Sequence, residues 1–135
     1  MADSGKAERM LWNYRQNEKK VKELRKIAES LMSVRGQDYG AHAVNGVSDA
    51  VIEVVHRRIE LGKKIAVLER EIRAVESLKD SLPLDELATW QMLGILRYRY
   101  MEHKEAAAVM RELGITKTTY YRRKNELIIR ARAYV

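Results

Sequence analysis

One stretch of the chain, residues 99–123, reads RYMEHKEAAAVMRELGITKTTYYRR. It predicts two short helices joined by a tight turn, with most of the positive charge on the second. Val109, Met110 and Leu113 recur at helical spacing and would bury one face of the first helix. Gly114 stands where a helix ends in a left-handed residue, a conformation glycine adopts without steric cost. Ile115 can fill the angle between the helices, and the Thr116 hydroxyl can cap the second. From Tyr120, a 3.6-residue period carries Leu127 and Ala131 onto one side. Thr118, Arg122 and Asn125 fall opposite, with Lys117 and Tyr121 on one flank and Thr119 on the other. Lys124 also sits near a flank, where an ammonium would meet phosphate. Such a face suits a helix in the DNA major groove, whose base edges offer acceptors and donors to Arg, Asn and Thr. A helical hairpin with a solvated basic face is the plainer alternative.

Outward from this stretch, the chain predicts an all-α protein with a long, coiled-coil-like N-terminal helical hairpin. Residues 7–34 read as one helix, with Tyr14, Val21, Leu24, Ala28 and Leu31 on a stripe that Ile27 widens. Trp12 lies off that stripe as a packing anchor. Residues 35–48, RGQDYGAHAVNGVS, carry three glycines and predict a connecting loop, with Asp49 or Ser48 capping the next helix. Residues 49–80 form the longest periodic segment. There Val51, Val54, Leu61, Ile65, Leu68, Ile72 and Val75 keep a/d spacing, interrupted by Arg58. Two paired helices make a thin core, so these seven positions are the predicted oligomerisation seam of a homodimer. Gly62 within the rod would mark a close helix crossing.

Pro83 disfavours helix in the residue before it, which places a boundary between a hairpin domain, 1–81, and a DNA-binding domain, 82–135. Asp85 would cap a bracing helix to about Tyr100, with Leu87, Trp90, Met92, Leu93 and Leu96 facing inward.

The net charge of +7 over 135 residues is unevenly spread. Residues 97–132 hold ten Lys/Arg against four Glu, whereas residues 1–96 are nearly balanced. A basic end on a near-neutral scaffold is the footprint of a polyanion-binding module. With 46% hydrophobic and 33% charged residues, the chain is expected to be ordered and soluble. The lack of cysteine excludes disulfides and thiolate metal sites and fits a reducing cytoplasm. No apolar run reaches membrane-spanning length and the first residues lack a signal-peptide core, so the expectation is a cytoplasmic protein with no membrane partner. His42, His56 and His103 are scattered, and no phosphate-binding glycine loop or nucleophile–base pair is present. The chain is therefore expected to be no enzyme and to need no metal or cofactor.

The same run resembles the helix-turn-helix of the fourth region of bacterial sigma factors. More closely, it resembles phage late-gene transcription regulators of the ArpU/RinA type. The resemblance rests on Leu96, Arg99, Tyr100 and Glu102, on Leu113-Gly114-Ile115-Thr116, and on Thr119-Tyr120-Tyr121-Arg122. It covers about the last third of the chain and departs at Met110, where the family pattern has a small residue four before the turn glycine. It implies double-stranded DNA as a partner, late-gene promoters as targets and host RNA polymerase as a further contact. Lys117, Thr118, Thr119, Tyr121, Arg122, Lys124 and Asn125 are the predicted DNA-binding residues. Two other readings stay open: a small-terminase-like DNA-recognition subunit of a phage packaging machine, and a coiled-coil protein-interaction module.

Overall fold

The computed structural model describes the backbone of residues 2–42 and 49–135 and the side chains of 4–31 and 49–135. Every regular element among them is helical, so the chain is all-α. In order these are α1 (Ala2–Trp12), α2 (Tyr14–His42), α3 (Asp49–Ser81), α4 (Leu87–Ile95), a π-helix (Leu96–Met101), α5 (Ala106–Leu113) and α6 (Lys117–Ala131). A short 3₁₀ turn, Arg132–Tyr134, closes the chain.

Helices α1 and α2 are nearly one rod. The Asn13 N–H donates to the Arg9 carbonyl at 2.9 Å and the Asn17 N–H to the Asn13 carbonyl at 2.8 Å, so the ladder runs through the join. Residues 35–42, predicted as the first part of a connecting loop, are helical instead, because α2 continues to His42. Glycine costs a helix about 1 kcal/mol without forbidding it, and no proline stands there to enforce a stop. Residues 43–48, and the side chains of Tyr39 and His42, lie outside the described residues.

The chain divides into two compact units, and not at Pro83. Unit 1 comprises Met1–Asn17 and Glu71–Val135; unit 2 is Glu18–Arg70. Unit 1 holds the whole apolar core cluster: Leu11 and Tyr14 from the first rod, Val75 and Leu78 from α3, Met92 and Ile95 from α4, and Val109, Tyr120 and Leu127 from the last two helices. The division departs from a 1–81/82–135 split because Ala7, Met10, Leu11 and Tyr14 form an apolar stripe that α6 and the π-helix cover. Val75, placed by its spacing on an oligomer seam, is fully buried in this core, and Ile72 packs against it.

Within unit 1 the α4 segment differs from expectation in three ways. Its N-cap is Glu86 rather than Asp85, with no side-chain cap bond. Leu87 and Trp90 point outward, 74% and 58% exposed, while Met92, Ile95 and Leu96 take the buried face. The Trp90 indole N–H donates to the Leu84 carbonyl at 2.9 Å, which holds the ring along the surface. Finally, the α-helix gives way to a π-helix from Leu96, closed by Glu102 N–H to Arg97 O at 3.0 Å. Leu96 and Tyr100, at its start and near its end, are both buried in the core. His103 then turns the chain with a positive φ of 56°, rare for a side-chain-bearing residue.

Unit 2 is built from α2 and α3 running antiparallel. One groove is lined by Lys20 and Leu24 with Lys63 and Val67, and another by Ile27 with His56, Glu60 and Leu61. Arg25 and Glu69 form an ion pair across the helices. Val51, Val54, Leu61, Ile65 and Leu68 are all half-buried. Gly62 meets no close helix: a Cβ added there would find open space.

Candidate nucleic-acid interface

Helices α5 and α6 are joined by the turn the sequence specifies. Gly114 sits in the left-handed region, φ 62° and ψ 38°. Its N–H donates to the Arg111 carbonyl at 3.3 Å and the next N–H, of Ile115, to the Met110 carbonyl at 3.1 Å. This pair of bonds is a Schellman motif, which satisfies the last carbonyls of α5 and redirects the chain sharply. Thr116 is extended and its hydroxyl accepts the Thr119 N–H at 3.3 Å, so α6 begins where the N-cap predicts.

A close approach between α4 and α5 lies beside this turn. Met110 is half-buried against the core, and Gly94 of α4 lies so near Leu113 that a Cβ there would overlap its side chain.

Tyr120, Leu127, Ile128 and Ala131 bury one face of α6. Opposite them, Lys117, Thr118, Tyr121, Arg122 and Asn125 are exposed, as the period predicts. Arg122 makes no ion pair or hydrogen bond among the described residues, so its five donors are available to a ligand. Ile129, one turn beyond Asn125, completes this stripe at 60% exposure. It is absent from the contact set predicted from sequence, although carrying the same period one turn further finds it.

Two predicted contact residues are placed differently. Thr119 is half-buried, and its hydroxyl lies 3.1 Å from that of Thr116, within the cap. The Lys124 side chain is only 19% exposed and its Nζ lies 3.4 Å from Glu8 of α1. Neighbouring Arg123 is also held, its Nε donating to Gln91 Oε1 at 2.7 Å while its guanidinium pairs with Glu126. These bonds tie α6 to α1 and α4 and fix which face it presents. A helical period alone locates Lys124 at a flank. The acidic side chain that draws it inward comes from a residue 116 positions away.

Glu8 also accepts the Tyr100 hydroxyl at 3.2 Å. Burial, and then the Glu8 carboxylate, push the Tyr100 hydroxyl well above the usual tyrosine range. Burial raises Tyr120 too, against the opposing pull of the Arg99 cation. Trp12 stacks on His103 at 3.8 Å, with the Arg99 guanidinium 4.9 Å from its ring centre. The His103 Nε2 lies 2.9 Å from the Trp12 carbonyl. Trp12 is thus the packing anchor expected, and its partner is the segment leading into α5.

Among the described residues no cluster of acidic or histidine side chains could hold a metal ion, and no helix is long and apolar enough to cross a membrane. The chain matches no protein-family model, no curated protein and no solved structure.

Proposed function

We propose that this protein is a sequence-specific DNA-binding transcription regulator that acts as a homodimer and reads the major groove with α6. One observation carries the reading: the stripe Thr118–Arg122–Asn125–Ile129 is exposed on a helix whose other sides are locked to α1, α4 and the core. A helix held on three sides presents one face in a fixed orientation, as base reading requires. The chemistry of that face matches base edges. Arg122 can donate two hydrogen bonds to guanine O6 and N7, Asn125 can pair with adenine, and Ile129 can contact a thymine methyl. Lys117, at the N-terminus of α6, adds charge where backbone N–H groups already favour phosphate. The uneven net charge, concentrated in residues 97–132, supports the same partner. The wider setting, late-gene promoters of a phage with host RNA polymerase as a further contact, rests on the resemblance alone.

Selection from random duplex DNA with the full chain tests this reading. The expected result is an enriched motif containing guanine at the position facing Arg122. Recovery of no motif, with equal binding to all duplexes, contradicts sequence-specific recognition.

A further inference from the structure

Helix α3 carries two apolar stripes, and unit 2 uses one of them. Val54, Leu61, Ile65 and Leu68 share one face and are half-buried, and Leu61 and Leu68 line the grooves against α2. The second stripe, Ile52, Val55, Ile59, Gly62 and Ala66, is stepped by three and four residues without a break. At 100° per residue it lies roughly a third of a turn around the helix from the first. Ile52 is 44% and Ile59 50% exposed, Ala66 is exposed, and the space over Gly62 is open. Such three-four spacing keeps one seam facing a second helix over several turns. In unit 2 only Val21 is buried among the described side chains, so the unit has little core of its own.

Resting on the dimeric reading above, we propose that α3 pairs antiparallel with α3 of a second copy of this chain along Ile52, Val55, Ile59 and Gly62. The residues themselves select the partner and the direction. In an antiparallel pair with Val55 against Ile59 of the other copy, Ile52 falls on Gly62, where the space over the helix is open. Lys63 of each helix then faces Asp49 of the other, giving opposite charges at both ends of the seam. Lys63 now lies 3.6 Å from Glu60 of its own helix, an exposed contact that holds it weakly. A parallel pair would instead set Arg58 beside Lys63 on both flanks, like against like. In the antiparallel pair Arg58 approaches its own copy near the axis, on the side of the seam toward α2.

Sedimentation equilibrium of the full chain without DNA tests the seam, with helicity checked by circular dichroism. The wild-type protein is expected to sediment with twice the mass of one 15.7 kDa chain. Ile59→Lys, at an exposed position, should keep its helicity and weaken association by about 100-fold or more, since burying an unpaired charge is costly. Val67→Lys, 52% exposed but off the seam, should leave the dimer unchanged. Lys63→Glu should weaken it, and adding Asp49→Lys should restore it. A wild-type chain that stays monomeric overturns the proposal. So does an Ile59→Lys variant that remains helical and dimeric, or a charge swap that fails to rescue. Binding of the same variants to duplex DNA is measured separately. A monomer that still binds DNA disproves the seam alone, whereas a dimer that binds no duplex disproves the DNA reading alone.

Discussion

Units 1 and 2 use the same kind of helix differently. In unit 1, helices from both ends of the chain and a π-turn converge on one cluster, so that Leu11, Leu78, Ile95, Tyr100 and Leu127 lose essentially all contact with water. In unit 2, two long helices pair along half-buried stripes, and Ile27, Ile52, Ile59 and Val67 keep about half their surface exposed. Helix α3 belongs to both: Val75 and Leu78 are core residues, while Ile52 and Ile59, four turns and more upstream, are not. The apolar pattern along α3 runs from Val51 to Leu78 with a break at Arg58. What changes is how many other elements are present to cover it, so burial depends on the company a helix keeps rather than on its sequence alone.

The contrast predicts its largest effect from truncation. A fragment of residues 82–135 removes Ala7, Met10, Leu11, Tyr14, Val75 and Leu78 from the core of unit 1. It should show no cooperative thermal unfolding, whereas a chain that keeps residues 1–17 and 71–135 together should. A fragment 82–135 that melts as sharply as the full chain would show that the first rod is dispensable to unit 1.

Single substitutions sharpen the same contrast. Leu11→Ala, at a fully buried position, should cost about 2–5 kcal/mol in denaturant titration. Val67→Ala, on the exposed side of unit 2, should cost under about 0.5 kcal/mol. Similar losses at the two sites would mean that unit 2 buries more than its pairing shows.

A smaller effect is expected at the polar link between α1 and the π-helix. Tyr100→Phe removes the hydrogen bond to Glu8 and should cost about 1 kcal/mol at neutral pH. The sign of its pH dependence comes from burial. Because the folded chain holds the Tyr100 hydroxyl above its ordinary value of 10.0, the neutral form is favoured by folding. That stability is present below pH 10.0 and declines as pH rises beyond it. The Phe variant should show a shallower alkaline decline in its unfolding midpoint; an identical slope would exclude Tyr100 as its source.

These contrasts also mark what is legible in the sequence. The Leu113-Gly114-Ile115-Thr116 turn is, because its chemistry is local: a left-handed glycine and a hydroxyl cap act within one helical turn. The outward stripe of α6 is legible for the same reason. The partner of α1 is not. Periodicity shows that Ala7, Leu11 and Tyr14 share a face, but not that a helix more than a hundred residues away covers it. Trp90 and Leu87 defy the inward reading because apolar character predicts burial only where something stands opposite, and near the start of α4 nothing described does. Lys124 departs from its expected place through Glu8, a long-range charge that no local pattern carries.

The two cations of α6 divide along the same line. Lys124 is held by Glu8 within unit 1, so Lys124→Ala should weaken selected and scrambled duplexes alike, by a small factor, and loosen the packing of α1. Arg122 is held by no described residue and faces outward. The most direct test titrates wild type and Arg122→Ala against the selected duplex and a scrambled one at several salt concentrations. Arg122→Ala is expected to lose roughly 1–3 kcal/mol of discrimination, weakening the selected site far more than the scrambled one. Equal weakening of both duplexes would contradict it, because α6 would then be gripping the phosphate backbone rather than reading bases.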